Sequence, residues 1–176
     1  MSTARPEAPT TPAVPKPASS VVLVKDASPG TPEPLEVYMI RRNRNMKFLG
    51  GYYAFPGGKV DPGDGLSDAV ARCRGIEAAE AEALLADREG VPALAFWMTA
   101  VRELLEESGI LLACDDAGRA LDPSAPRVKD GIERCRKALM AGEAPFADLI
   151  AREGGAERAR AALEQAGLLR AEAPLT

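Results

Sequence analysis

The apolar positions in the first part of the chain cluster in short runs that are typical of strands. Val21–Val24 is a β-branched run, and Leu35–Ile40 is a second run, separated from it by a loop rich in proline and glycine. Tyr52–Phe55 forms a third run, which ends at residues 56–58, because proline cannot donate to a ladder and glycine readily adopts positive φ. Ile110–Leu112 predicts a further short strand.

Helical patterns dominate the rest of the chain. Ser67 can cap a helix that runs to about Ala86, and a second helix can begin at Pro92 and continue to Ser108, where Gly109 ends it. Residues 127–170 are mainly helix formers, and the glycines and proline within them predict three short helices. Strands and helices in this order predict a mixed α/β (α+β) fold.

The N-terminal residues differ in composition from the rest. Residues 1–18 are rich in proline, alanine and threonine and have almost no large apolar side chains, so they cannot bury enough surface to offset the entropy of ordering. We therefore expect a disordered tail at 1–18 and one domain over residues 19–176, a length that suits a single core.

Composition and charge exclude several classes of function. The net charge of −4 gives no electrostatic reason to expect nucleic acid or an anionic membrane as a partner. No run is long enough to span a membrane, the first twenty residues lack a signal-peptide core, and the three cysteines show no paired spacing, so we expect a cytoplasmic protein with reduced thiols. The absence of histidine removes the usual catalytic pairs and zinc sites and leaves carboxylates with hard cations.

The predicted helix 92–108 places three carboxylates together. At about 100° per residue its apolar side chains share one face, while Glu103, Glu106 and Glu107 lie on the opposite side. Neighbouring like charges repel unless a cation lies between them, and oxygen ligands of this kind favour Mg²⁺ or Mn²⁺. The alternative is a solvated helix face with no ligand. The apolar face comprises Leu94, Trp97, Met98, Val101 and Leu105.

The residues around this helix resemble the Nudix box. Residues 102–110, Arg-Glu-Leu-Leu-Glu-Glu-Ser-Gly-Ile, match the second half of the box at every fixed position. Residues 58–64, directly after Phe55-Pro56-Gly57, match the first half, with Asp64 where the family has glutamate. Residues 65–101 would be a helical insertion between the halves, as in a Nudix subgroup that includes peroxisomal coenzyme A hydrolases and bacterial relatives.

This resemblance implies a mixed β-sheet sandwiched by helices and a hydrolase that cuts diphosphate linkages with Mg²⁺ or Mn²⁺. Glu106 and Glu107 would bind the metal, Glu103 would bind metal or act as the base, and Arg102 would orient Glu103. The shorter side chain of Asp64 puts its contribution to the structure of the loop in question.

Upstream residues resemble the pattern of the coenzyme A subgroup. Arg42, Gly51 and Phe55 to Gly58 fit its frame, whereas Asn43 replaces a small residue and Lys47 replaces arginine. Basic side chains at Arg42 and Lys47 can bind phosphate, although a solvated loop would have the same composition. Together with Gly57 and Gly58 these are the candidate substrate-binding residues, and the leading substrate is coenzyme A or an acyl derivative.

Two alternatives and one question of completeness stay open. The chain could be an inactive Nudix fold that binds a ligand or regulates, or a helical interaction domain, which would lack metal binding and a strand before Phe55. Nothing after Leu112 predicts a good strand, so we expect a chain that lacks the C-terminal part of the fold and exposes apolar strand surface. The sequence leaves the oligomeric state open.

Overall fold

The computed structural model describes residues 14–47, 49–85, 90–115 and 118–154. It contains short strands in the first part of the chain and helices after them, so the predicted α/β class is confirmed. No helix in these ranges is both long enough and apolar enough to cross a membrane. The strands are β1 (Ala18–Ser20), β2 (Val24–Asp26), β3 (Leu35–Val37), β4 (Ile40–Arg41), β5 (Tyr53–Ala54) and β6 (Gly57–Lys59). The helices are α1 (Ser67–Val70), α2 (Ala78–Leu84), α3 (Ala93–Ser108), α4 (Pro126–Met140) and α5 (Phe146–Gly154), with a 3₁₀ helix at Pro62–Gly65.

The strands form three antiparallel pairs in the described residues: β1 with β6, β2 with β3, and β4 with β5. The predicted run Val21–Val24 joins the first two pairs, since the Val21 amide donates to the carbonyl of Pro56 and the Leu23 carbonyl accepts from Tyr38. The extended segment Val21–Val24 therefore pairs first with the turn Pro56-Gly57-Gly58, called the glycine turn below, and then with the residues of β3. Ala18, the last residue of the predicted tail, lies opposite Lys59, and residues 1–13 of that tail lie outside the described residues.

Two further predicted elements also differ in the structure. The strand predicted at Ile110–Leu112 is wrong, because these residues pair with no strand in the described part of the chain and the two leucines pack against the helical core instead. The single helix predicted from Ser67 is two short helices, because Gly75 between them has φ +90°, which no α-helix accommodates. The first two helices predicted after residue 127 are α4 and α5, and the third lies outside the described residues.

The core lies between the helices. Val101 and Met98 on α3 are buried as expected, and Trp97 is half-buried at the edge of the same cluster. The apolar side of α5 closes the core against the other helices. Side chains on β2 and β3 are far more exposed, with Val24, Leu35 and Val37 at 40–52 %. Most of the buried apolar surface, and hence most of the stabilisation by burial, lies among the helices. The strands β2 and β3 expose apolar side chains to solvent.

Candidate active site

Helix α3 carries the chemical groups of the candidate site and has clear ends. Pro92 precedes its first turn, where a missing backbone N–H costs nothing, and Gly109 ends it in the left-handed conformation with φ +76°. The last turn is also held from outside, because Arg136 of α4 donates from Nε and Nη2 to the carbonyl of Glu106 at 3.0 and 2.9 Å. A cation at the C-terminal end of a helix is favoured by the helix dipole. Arg136 therefore fixes the end of α3 that bears the carboxylates.

Asp64 joins the two halves of the box. Its carboxylate is 2 % exposed and accepts hydrogen bonds from Arg102 Nε at 2.9 Å and Nη2 at 2.9 Å. It also accepts from Thr99 Oγ1 at 2.8 Å and from the backbone N–H of Asp61 at 3.0 Å, where it completes a capping box for the 3₁₀ helix. The aspartate therefore reaches both the loop and α3, despite being one methylene shorter than the glutamate of the family pattern.

Arg102 is buried and holds the site from the centre. Its guanidinium donates to the Lys59 carbonyl at 2.9 Å as well as to Asp64, so it connects strand β6 with α3. Burial opposes its charged form, but the hydrogen bond and the charge of Asp64, followed by those of Glu103, raise its pKa above the ordinary arginine value. The Arg102 guanidinium therefore keeps its positive charge in the site.

The glycine turn lies directly against the carboxylates of α3. The Gly57 amide donates to Glu107 Oε2 at 3.0 Å. A Cβ at Gly58 would displace the carboxylate of Glu103 from its position beside Arg102, so the absence of a side chain here lets the two halves of the box approach closely. Residues that are far apart in the sequence thus meet at the start of β6, where the backbone of the turn lies against two glutamate side chains of α3.

The three glutamates differ in environment. Glu103 is largely buried and accepts from Arg102 Nη1 at 2.8 Å, and Glu106 is half-buried, with its Oε1 3.4 Å from the same nitrogen. Burial raises the pKa of Glu106; Arg102 partly offsets this, while the charges of Glu103 and Asp64 raise the pKa further. Glu107 is exposed. A bound cation would offset the repulsion between the Glu106 carboxylate and the neighbouring carboxylates.

Within the described part of the chain, no group of three or more His, Cys, Asp or Glu side chains is arranged to hold a metal ion. The reason is visible in the hydrogen bonds: Glu103 and Glu106 are directed at Arg102, and Glu107 is directed at the Gly57 amide. The chemistry of these donors still fits a hard divalent cation, because three carboxylates stand on consecutive turns with a raised pKa among them.

The basic residues predicted to bind substrate lie in the connection between β4 and β5. Arg42 is half-buried and exchanges backbone hydrogen bonds with residues across the loop, accepting from the Gly51 amide at 3.1 Å. Lys47 is exposed in the same loop. The loop is compact, since a Cβ at Gly50 would lie 2.6 Å from the carbonyl oxygen of Arg44. The structure therefore brings Arg42 and Lys47 into one compact loop.

Sequence reasoning missed three contributors to the site. Thr99 binds Asp64 and lies one turn before Arg102 on α3, so helical spacing could have suggested it. The Lys59 carbonyl and Arg136 could not be found this way, because each contacts α3 from a distant part of the chain.

A solved structure, described as the crystal structure of a NUDIX hydrolase from Alicyclobacillus acidocaldarius, is similar to this chain with a TM-score of 0.59 and 26 % sequence identity. The similarity covers 84 % of this chain, which spans 58 % of the length of the other protein. No family model matches the sequence, and no curated protein matches it. The similarity supports a Nudix-type fold, in agreement with the sequence.

Proposed function

We propose that this protein hydrolyses a diphosphate linkage in a nucleoside diphosphate derivative, with Mg²⁺ or Mn²⁺ bound by Glu103, Glu106 and Glu107. The observation that carries the proposal is the meeting of the two box halves: Asp64 and the Lys59 carbonyl hold Arg102, and the glycine turn lies against Glu103 and Glu107. The similarity to a NUDIX hydrolase supports hydrolase chemistry in general.

Each group has a role that its contacts allow. When bound, the cation would neutralise charge on the phosphate oxygens and activate water. Arg102 orients the Glu103 carboxylate through the 2.8 Å ion pair, and Glu103 would accept the proton of the attacking water. Once Glu107 binds the cation, the Gly57 N–H that now donates to it would be available to donate to the negative charge that develops on a phosphate oxygen.

The leading substrate is coenzyme A or an acyl derivative, because the residues around Arg42 and Lys47 resemble the pattern of that subgroup. Both cations lie in one compact loop, on a different element from the glutamates of α3, which suits a contact with a remote phosphate. Arg42→Ala should then raise KM for coenzyme A more than it lowers kcat, as measured by steady-state hydrolysis. A loss confined to kcat would contradict this role.

The decisive experiment is metal-dependent hydrolysis by the full chain. Glu107→Gln and Glu106→Gln should each lower kcat by a factor on the order of 10² or more, because each removes charge from a metal ligand. Glu80→Gln, an exposed glutamate on α2, is the matched control and should retain full activity. Activity that persists in both variants, or that is independent of metal, would refute the assignment.

A second candidate is a Nudix fold that binds a ligand without turnover. It is favoured by the directions of the glutamates, which converge on Arg102 and the Gly57 amide and not on one metal position. Binding of Mn²⁺ without hydrolysis of coenzyme A, NADH or nucleotide sugars would support this candidate. The helical interaction domain is disfavoured, because β5 places a strand immediately before Phe55.

A further inference from the structure

The outward side of the β4–β5 ladder carries a stacked pair of side chains. Arg41 lies opposite Tyr53 in the register of the two strands, and its guanidinium carbon is 5.9 Å from the centroid of the tyrosine ring. The Arg41 Nε also donates to the Gly51 carbonyl at 3.2 Å, which holds the guanidinium in place from a second direction. This pair has the geometry of a cation–π contact.

Tyr53 remains 64 % exposed although Arg41 lies over it. Single exposed aromatic residues are ordinary on protein surfaces. Two features distinguish this one: the arginine that supports the ring, and its position in the chain. Tyr53 precedes Gly57 by four residues, so the two are at most about 14 Å apart. Gly57 in turn contacts Glu107 of the candidate active site.

We propose that Tyr53, supported by Arg41, forms a stacking platform for the nucleobase of a nucleoside diphosphate substrate, a proposal that rests on the function proposed above. A base on this ring would lie within reach of a diphosphate at the glycine turn, because Gly57 follows Tyr53 by only four residues. Stacking on an aromatic ring supported by arginine contributes to the binding of bases of every type, because each base has a π-face. The platform would therefore bind a nucleotide with little preference among bases.

The adjacent tyrosine is a natural control. Tyr52 is equally exposed, at 64 %, but it lies just before β5, where its carbonyl accepts from the Arg42 amide. Tyr52→Leu thus removes an equally exposed aromatic ring from a position outside the Arg41–Tyr53 pair of the ladder. Tyr53→Phe keeps the ring and removes only the hydroxyl.

The test is calorimetric titration of the metal-free full chain with ADP and with pyrophosphate. Tyr53→Leu should weaken ADP binding by about 5- to 150-fold, the range expected for loss of one base stack, and leave pyrophosphate binding unchanged. Tyr53→Phe and Tyr52→Leu should leave ADP affinity within about twofold of the original. Both positions are on the surface, so circular dichroism of the three variants should match that of the unchanged chain.

The platform is refuted if Tyr53→Leu leaves ADP affinity unchanged, if both leucine variants weaken it equally, or if the unchanged chain does not bind ADP. These results are distinct from a failure of the proposed function. Hydrolysis that depends on Glu107 but not on Tyr53 refutes the platform alone. ADP binding that depends on Tyr53 in a chain without metal-dependent hydrolysis supports the platform and refutes the proposed reaction.

Discussion

Replacing Asp64 with asparagine should destabilise the fold far more than the loss of a surface charge would. The substitution keeps the size of the side chain and removes its charge. Asp64 is 2 % exposed and its partner Arg102 is 7 % exposed, so the arginine would lose its main anionic partner in a region with little water. The side chains of Thr99 and Arg102 and the Asp61 amide all donate to this carboxylate, and an amide can satisfy them only in part.

The magnitude follows from the burial of this ion pair. Removing one partner of a buried pair costs about 3–5 kcal/mol, because the remaining charge is uncompensated. Arg102 keeps its contact with Glu103 at 2.8 Å, which compensates in part, so we expect the lower end, about 3 kcal/mol. With a urea slope of about 1–3 kcal/mol per molar, the midpoint of unfolding should fall by about 1–3 M.

Urea unfolding followed by circular dichroism at pH 7 measures this change. Asp68→Asn, an exposed aspartate on α1, is the control and should shift the free energy of unfolding by less than about 0.5 kcal/mol. The double variant Asp64→Asn/Arg102→Met has lost both charges of the buried pair. Its loss in free energy of unfolding should therefore be smaller than the sum of the losses in the two single variants. A shift for Asp64→Asn as small as that of the control, or strict additivity, would refute the central role of this pair.

Three further predictions concern the site and the core. Gly58→Ala should lower hydrolysis, since its Cβ would displace the Glu103 carboxylate from Arg102, whereas Gly65→Ala, whose Cβ would meet only ordinary contacts, should be tolerated in the same activity and melting assays. The pKa of Glu106 is raised in the folded chain. Protonation of this carboxyl therefore stabilises the fold below the unfolded pKa of 4.5, and this stabilisation is lost as pH rises through the folded pKa. Glu106→Gln should therefore raise the urea midpoint of the metal-free chain at pH 7, and this gain should shrink near pH 4.5; equal midpoints at both values would contradict the charge environment. A thiol-reactive probe at pH 8 should label the native chain slowly and the unfolded chain fully, because burial raises the pKa of Cys73 to about 12 and the other two cysteines are also buried; rapid native labelling would be the contrary result.

The sequence determined the elements whose signals are local. The helix from Pro92 to Gly109 follows from its apolar period and its terminal residues, which act within a few positions of the chain. The same period placed the three glutamates on one side of α3. Strands β3 and β5 lie within predicted runs, because such runs between turn residues need no distant information, whereas the run Val21–Val24 contributes only Val24 to β2. The break at Gly75 was missed, since a glycine within a run of helix formers is often tolerated.

Only the tertiary structure decided how these elements meet. Ile110–Leu112 has the composition of a strand, but a strand needs a pairing partner, and here the leucines pack on helices instead. The sequence left the effect of Asp64 open, and the structure shows that its shorter carboxylate still reaches Arg102, because the 3₁₀ turn brings it beside α3. The directions of the glutamate side chains were likewise decided by Arg102 and the Gly57 amide, which approach from residues distant in the chain. Periodicity fixes which side of a helix bears a charge, whereas the direction of that charge depends on partners that only folding brings near.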